Sequence, residues 1–221
     1  MESSGANMPL NPIAPPAPAG VAIPPEPPEV GARSLYVAAR LLAGASTFFF
    51  LAFLFAYFYL RSLNESHMWQ PAHVKPDQTL GAVVVACVVV SALLAILAGR
   101  QMKGRSRRWV RAAAASLVLG LAAVAVQCVQ YTVQHFGPTD GGYASVFYGW
   151  TSLYMIAVLA TMYWLETQLA TELRARRAPA AAHGDIAEAD RLIAPGLDAA
   201  VFFWSYLAGI GVVAWVTLYL V

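Results

Sequence analysis

The chain has 221 residues with a formal net charge of +2, and 59% of them are hydrophobic. Charged residues make up only 12%, about half the share of an ordinary soluble domain. That shortage speaks against an ordinary water-soluble domain and points to a membrane protein, and no nucleic-acid partner is expected.

Residues 1–34 hold nine of the fourteen prolines and carry only Glu2, Glu26 and Glu29 before Arg33. No long apolar core leads to a small-residue cleavage site, so the segment does not read as a signal peptide. A Pro/Ala-rich run has neither the donors nor the periodicity of a packed core. The expectation is an extended or disordered arm over 1–34, followed by a membrane domain over 35–221.

Five apolar runs follow, at 35–60, 79–98, 109–134, 143–165 and 199–221. A hydrocarbon core of about 30 Å needs roughly 20 helical residues, and each run is long enough. Apolar and polar residues do not alternate as a barrel requires, and in lipid the backbone must satisfy its own hydrogen bonds. The fold expected is therefore all-α, a five-transmembrane-helix bundle. Cys87 and Cys128 lie inside the runs, with no CxxC pattern or nearby histidine, and read as small buried hydrophobes.

The loops set the orientation. Arg100, Lys103, Arg105, Arg107, Arg108 and Arg111 cluster without an acid, which places that loop in the cytoplasm. Arg174, Arg176 and Arg177 follow the fourth run, while GPTDGG at 137–142 has no basic residue. Alternation then puts the N-terminus inside and the C-terminus outside. Tyr57, Tyr59, Trp69, Trp109, Tyr143, Trp164 and Tyr219 fall near the two interfaces, as an aromatic belt would. The stretch 171–198 reads as a solvated loop, with a weak Ala/Pro hinge at 178–182 and a candidate short surface helix at 185–192.

Chemistry-bearing residues are scarce in the spans. His67, His73, His135 and His183 all lie outside the runs or at their edges, and no run supplies a histidine pair for haem or copper. Carboxylates and lysines are missing from the middle of every run, whereas a proton or ion path usually shows them. Arg40 and Glu166 sit near the cytoplasmic face, within snorkelling reach. No Ser–His–Asp arrangement or Gly-rich phosphate loop is present. Polar residues in the runs are neutral: Ser46, Thr47, Thr132, Thr151, Ser152, Ser205, and a strip of amides at Gln127, Gln130 and Gln134 that share one helical face. Small residues and amides pack helices together in lipid, so Ser46, Gln127, Gln130, Tyr131, Thr151 and Ser205 are the candidate helix-packing or interface residues. Gln130 is expected to tie the third run to a neighbouring helix.

Several segments together resemble subunit III of the haem–copper oxidases, in the short five-span form, over about residues 40–221. TFFFLAFLFAYFYL at 47–60 resembles the family's SE-x-x-FFAGLFxAYF helix. Trp69-Gln70-Pro71 resembles its Trp-x-Pro, and QCVQY at 127–131 its Q-x-x-E-Y. GGYASVFYGWTSLYMIAV at 141–158 resembles Y-G-S-x-F-F-x-x-T-G-F-H-G-x-H-V, and the segment 201–221 resembles the final helix, W-Y-W-H-F-V-D-x-V-W. The departures run one way. Ser46 and Gln130 stand at glutamate positions of the family, Tyr154 and Ala157 replace two histidines, and Ser205 and Ala208 replace a histidine and an aspartate. The first two helices of the longer seven-span form have no counterpart in this reading.

The resemblance implies a non-catalytic subunit of a respiratory terminal oxidase in a bacterial inner membrane. It implies a catalytic subunit I carrying the haem and copper, a subunit II, and phospholipids as partners. No catalytic site, cofactor or metal is expected in this chain. Two alternatives stay open: a subunit-III-like accessory protein of a nitric oxide reductase, and a small transporter with a neutral site near Gln127, Ser46 and Thr151. An assembly factor that leaves before maturation is a third.

Overall fold

The computed structural model describes residues 28–64, 69–104, 106, 108–177 and 186–221. Among them are five α-helices: α1 (Pro28–Ser62), α2 (Gln78–Lys103), α3 (Trp109–Val133), α4 (Gly142–Arg177) and α5 (Ile186–Trp215). The last runs into a π-helical turn at Val216–Leu220. All five contain stretches long and apolar enough to cross a membrane, so this is a multi-pass helical membrane protein. Lys103 and Arg108 mark what is called here the basic end of the bundle. Asp77, Tyr143 and Tyr219 mark the opposite, aromatic end.

Three element boundaries differ by several residues from the sequence expectation. Helix α1 starts at Pro28, so residues 28–34 belong to a helix and not to the arm; the rest of the arm, 1–27, lies outside the described residues. Proline suits a first helical position because its missing N–H would have had no intrahelical partner there. Helix α4 runs on to Arg177, and α5 already starts at Ile186, so most of the stretch read as a 171–198 loop is helix. The hinge expected at 178–182 lies outside the described residues. The α4 extension is held by packing: Leu165 and Leu169 join Ala98, Trp109, Ala112, Ala113 and Leu197 in a second core at the basic end, and Glu172 is buried as well. Pro195 is accommodated inside α5, at the loss of one backbone hydrogen bond. Beside it, Lys103 and Asp198 form an ion pair at 2.9 Å, with both side chains well exposed, a contact worth about 0–1 kcal/mol.

The most extensive pairing is the α2–α3 hairpin. It forms because both helices present small residues to each other. Val88, Ser91, Ala92, Ala95 and Ala98 of α2 are buried, as are Ala112, Ala113, Ser116, Gly120 and Ala123 of α3. Such faces let backbones approach closely, the main source of helix association where lipid removes the hydrophobic drive. Helices α4 and α5 pack on this hairpin and on each other, and α1 lies against α4 and α5. Leu41, Phe48, Phe49 and Phe55 of α1 face away from the protein. The shared core is aromatic, with Trp150, Trp204, Tyr143 and Phe147 fully buried.

Four of the seven belt candidates turn inward, while Tyr59 stays exposed. Tyr57, Trp69, Trp109 and Tyr143 are buried, filling space between helix ends instead of facing a headgroup layer. The cysteines are corrected: Cys128 is exposed and Cys87 only half-buried. Lipid is as apolar as a protein core, so a thiol in a span has no need of protein burial. Arg40 packs its guanidinium over the Tyr36 ring, 3.2 Å from the centroid, and lies 4.8 Å from that of Phe202.

Gly120 shows how tightly these faces fit, because a Cβ there would collide with the Met162 sulfur across the α3–α4 contact. Gly120→Leu is therefore expected to cost about 1–3 kcal/mol of overpacking, read as a lower thermal midpoint in detergent. Met162→Ala in the same chain should recover part of it.

Candidate functional site

The amide strip of α3 resolves into two buried glutamines and one that leaves the helix. Gln127 and Gln130 are 2% and 0% exposed and continue the inward face of Ser116, Gly120 and Ala123. Gln134 is the C-cap, with extended backbone at φ −71 and ψ 139, so its side chain departs from the strip.

Gln130 joins three elements. Its Nε2 donates to the Asp77 carbonyl oxygen at 3.0 Å and to the Tyr219 hydroxyl at 2.8 Å. The same hydroxyl donates back to Gln130 Oε1 at 3.0 Å, and Gln127 Nε2 donates to that oxygen at 3.1 Å. Asp77 earns its place at the start of α2 because its carboxylate accepts from Thr79 and Leu80 N–H groups, satisfying donors that a helix N-terminus leaves open. Its carbonyl then receives both the Gly81 N–H and the Gln130 amide. One residue thus caps α2 and anchors it to α3.

Tyr219 reaches this junction because the π turn lays its ring over Gly81, where a Cβ would meet ring carbons at 2.5 Å. The turn is stitched further: Gln78 Nε2 donates to the Tyr219 carbonyl at 3.0 Å, Tyr143 Oη to the Leu218 carbonyl, and Arg61 to the Val221 carbonyl. Tyr143 also stands against Trp69 and Tyr57, with ring centroids 5.9 and 6.4 Å away, and Trp69 lies over Gly142.

A second polar contact links α3 to α4. Tyr131 Oη donates to Thr151 Oγ1 at 2.7 Å, and Thr151 donates to the Phe147 carbonyl at 2.6 Å. The other two sequence candidates stay apart. Ser46 is half-buried; its neighbour Thr47 makes the interhelical bond instead, at 2.9 Å to Tyr206 Oη. Ser205 bonds back to the Val201 carbonyl of its own helix at 2.7 Å. The six candidates therefore divide: Gln127, Gln130 and Tyr131 of α3 turn toward neighbouring elements, Thr151 meets Tyr131 from α4, and Ser46 and Ser205 lie elsewhere.

Sequence reasoning missed a third contact. Ser91 of α2 and Ser116 of α3 each donate to the other's carbonyl, at 2.6 and 2.8 Å, and Trp204 Nε1 of α5 donates to Ser91 Oγ at 3.1 Å. All three residues are buried. The available signal was a lone serine inside each of two apolar runs. It also missed Asp77 and Tyr219 as partners of Gln130.

Among the described residues no three His, Cys, Asp or Glu side chains converge as a metal-binding group; His67 and His183 lie outside them. Gln127 and Thr151 share a cavity of about 30 Å³ with Gly81, Trp150, Gly211 and Trp215, far smaller than the few-hundred-Å³ pockets that hold organic ligands. Ser46 does not line it. What the arrangement does chemically is hydrogen-bond: neutral donors and acceptors satisfy one another across helix boundaries.

These features define a five-helix multi-pass membrane protein whose interior is joined by uncharged polar contacts. The family model for cytochrome c oxidase subunit III matches residues 32–221; no individual curated protein matches the chain. The chain belongs to the cytochrome c oxidase subunit III family.

Interhelical side-chain bonds in membrane proteins average about 0.6 kcal/mol and reach about 1.7. A double-mutant cycle of Gln130→Ala with Tyr219→Phe is expected to give a coupling near the upper figure, because two bonds link the pair. Thermal unfolding in lipid nanodiscs measures it; additive losses would show that the pair is not coupled.

Proposed function

We propose that this chain is the non-catalytic subunit III of a respiratory haem–copper terminal oxidase in a bacterial inner membrane. It packs beside catalytic subunit I, together with subunit II, stabilises the catalytic subunit and shapes its lipid surroundings. The observation that carries the reading is the family match across residues 32–221. The interior agrees with a supporting role. Ser91, Ser116, Gln127, Gln130 and Thr151 are among the buried polar side chains. Each of these five makes a hydrogen bond within the bundle, and none of the five titrates at physiological pH. The oxygen chemistry belongs to the haem and copper of the partner.

Purification through a tag on this chain in a mild detergent tests the assignment. A large subunit with a haem spectrum and oxygen consumption is the expected result. A co-purifying subunit that reduces nitric oxide and not oxygen would point to the accessory role in a nitric oxide reductase. A colourless preparation would remove the oxidase reading.

The same proposal sets the basic end in the cytoplasm, N-terminus inside and C-terminus outside. With Cys87 and Cys128 replaced by serine, Thr139→Cys should react with an impermeant maleimide on spheroplasts. Ser106→Cys should react only after the membrane is opened. The reverse pattern would invert the topology.

A further inference from the structure

The small cavity between α2, α3, α4 and α5 is a site of unmet hydrogen bonds. Its lining includes Gly81 and Val84 of α2, Gln127 of α3, Trp150 and Thr151 of α4, and Trp215 of α5. Two glycines shape its walls: Tyr219 lies over Gly81, and Tyr154 lies over Gly211 in the space a Cβ would take. Tyr154 Oη itself donates to the Leu207 carbonyl at 2.9 Å.

The indole Nε1 atoms of Trp150 and Trp215 are both enclosed, with no hydrogen-bond partner among the described residues. Trp150 is 1% exposed, and its ring is fixed by stacking on Phe53 at 6.2 Å. An enclosed donor of this kind ordinarily finds protein or ordered water as its partner. The neighbouring polar groups retain capacity as well. Gln127 spends one amide hydrogen on Gln130, and an amide has a second hydrogen and a carbonyl with two lone pairs. Thr151 Oγ1 donates to Phe147 and accepts from Tyr131, which leaves one lone pair.

We propose that this cavity is an internal water site in the membrane interior. It holds one or two water molecules that accept from the Trp150 and Trp215 indoles and donate to Gln127 and Thr151. The size agrees, since a space of about 30 Å³ exceeds the ~10–15 Å³ that one water requires. The chemistry agrees too: the indoles lack acceptors while Gln127 and Thr151 have lone pairs to spare, and water supplies both acceptor and donors. An apolar guest atom would supply neither. The water extends the polar contacts from the Gln127–Gln130–Tyr219 junction into the centre of the four packed helices, so that the amide strip ends in solvent-like partners and not in lipid.

The test uses the full chain, labelled with ¹⁵N-tryptophan, in lipid nanodiscs. Six tryptophans are present, and Trp150→Phe and Trp215→Phe assign their two indole signals. The expected result is a rotating-frame Overhauser cross-peak between the Trp150 indole proton and water, with the sign of direct proximity and not of exchange. Val84→Leu, which places an extra methylene in the space, should remove the cross-peak while the indole signal persists. Absence of the cross-peak in the unmutated chain would overturn the proposal. So would a line shift of the Trp150 indole under xenon pressure, which marks a dry cavity, or survival of the cross-peak in Val84→Leu.

Discussion

Lipid offers no hydrogen-bond partner, so a polar atom inside these five helices must find one in the protein or in enclosed water. That constraint orders the rest of the structure. Backbone groups meet it by forming helices. Side chains meet it at several places, among them Gln130 with Asp77 and Tyr219, Tyr131 with Thr151, and Ser91 with Ser116 and Trp204. Each is made between helices, so satisfying the atom and positioning the helices are one event. The α2–α3 hairpin depends on this most, being held by the serine pair in its middle and by Gln130 on Asp77 at the aromatic end.

Close approach is the second condition. Serine hydroxyls reach a facing carbonyl only when the two backbones nearly touch, and the Ala, Ser and Gly faces of α2 and α3 permit that. The same economy operates elsewhere in the form of large side chains seated on glycines: Met162 on Gly120, Tyr154 on Gly211, Tyr219 on Gly81. Rigid ring packing then carries the polar contacts, because the π turn that brings Tyr219 to Gln130 is itself braced by Tyr143 and Gln78. The three named contacts are made by amide, hydroxyl, indole and carbonyl groups, so none of them depends on protonation at physiological pH.

The helices were legible because a long apolar run without charges leaves the backbone a single way to satisfy itself. Their ends were less so. The loop expected over 171–198 is largely helix, since packing of Leu165 and Leu169 on Trp109 and Leu197 outweighs the local polarity that suggested solvent. Inward orientation of Gln127 and Gln130 was legible from their spacing on an apolar helix. Ser46 and Ser205 looked equivalent to them by composition, yet a hydroxyl can bond to its own helix, as Ser205 does, and needs no neighbour. An amide side chain cannot be satisfied so easily in that way, which is why the glutamines and not those serines mark the junction.

The sequence by itself determined the class of protein, the number of spans and the neutral character of their interior, because these follow from composition and run length against the thickness of a bilayer. Only the tertiary structure decided the partners. Gln130 meets a hydroxyl 89 residues away and a carbonyl 53 residues away, and Ser91 meets a serine 25 residues on. Helical periodicity states which face a side chain occupies. Which helix stands opposite, and at what depth its groups lie, is set by how small and large residues fit across the contacts of the whole bundle, and no local pattern in the chain records that fit.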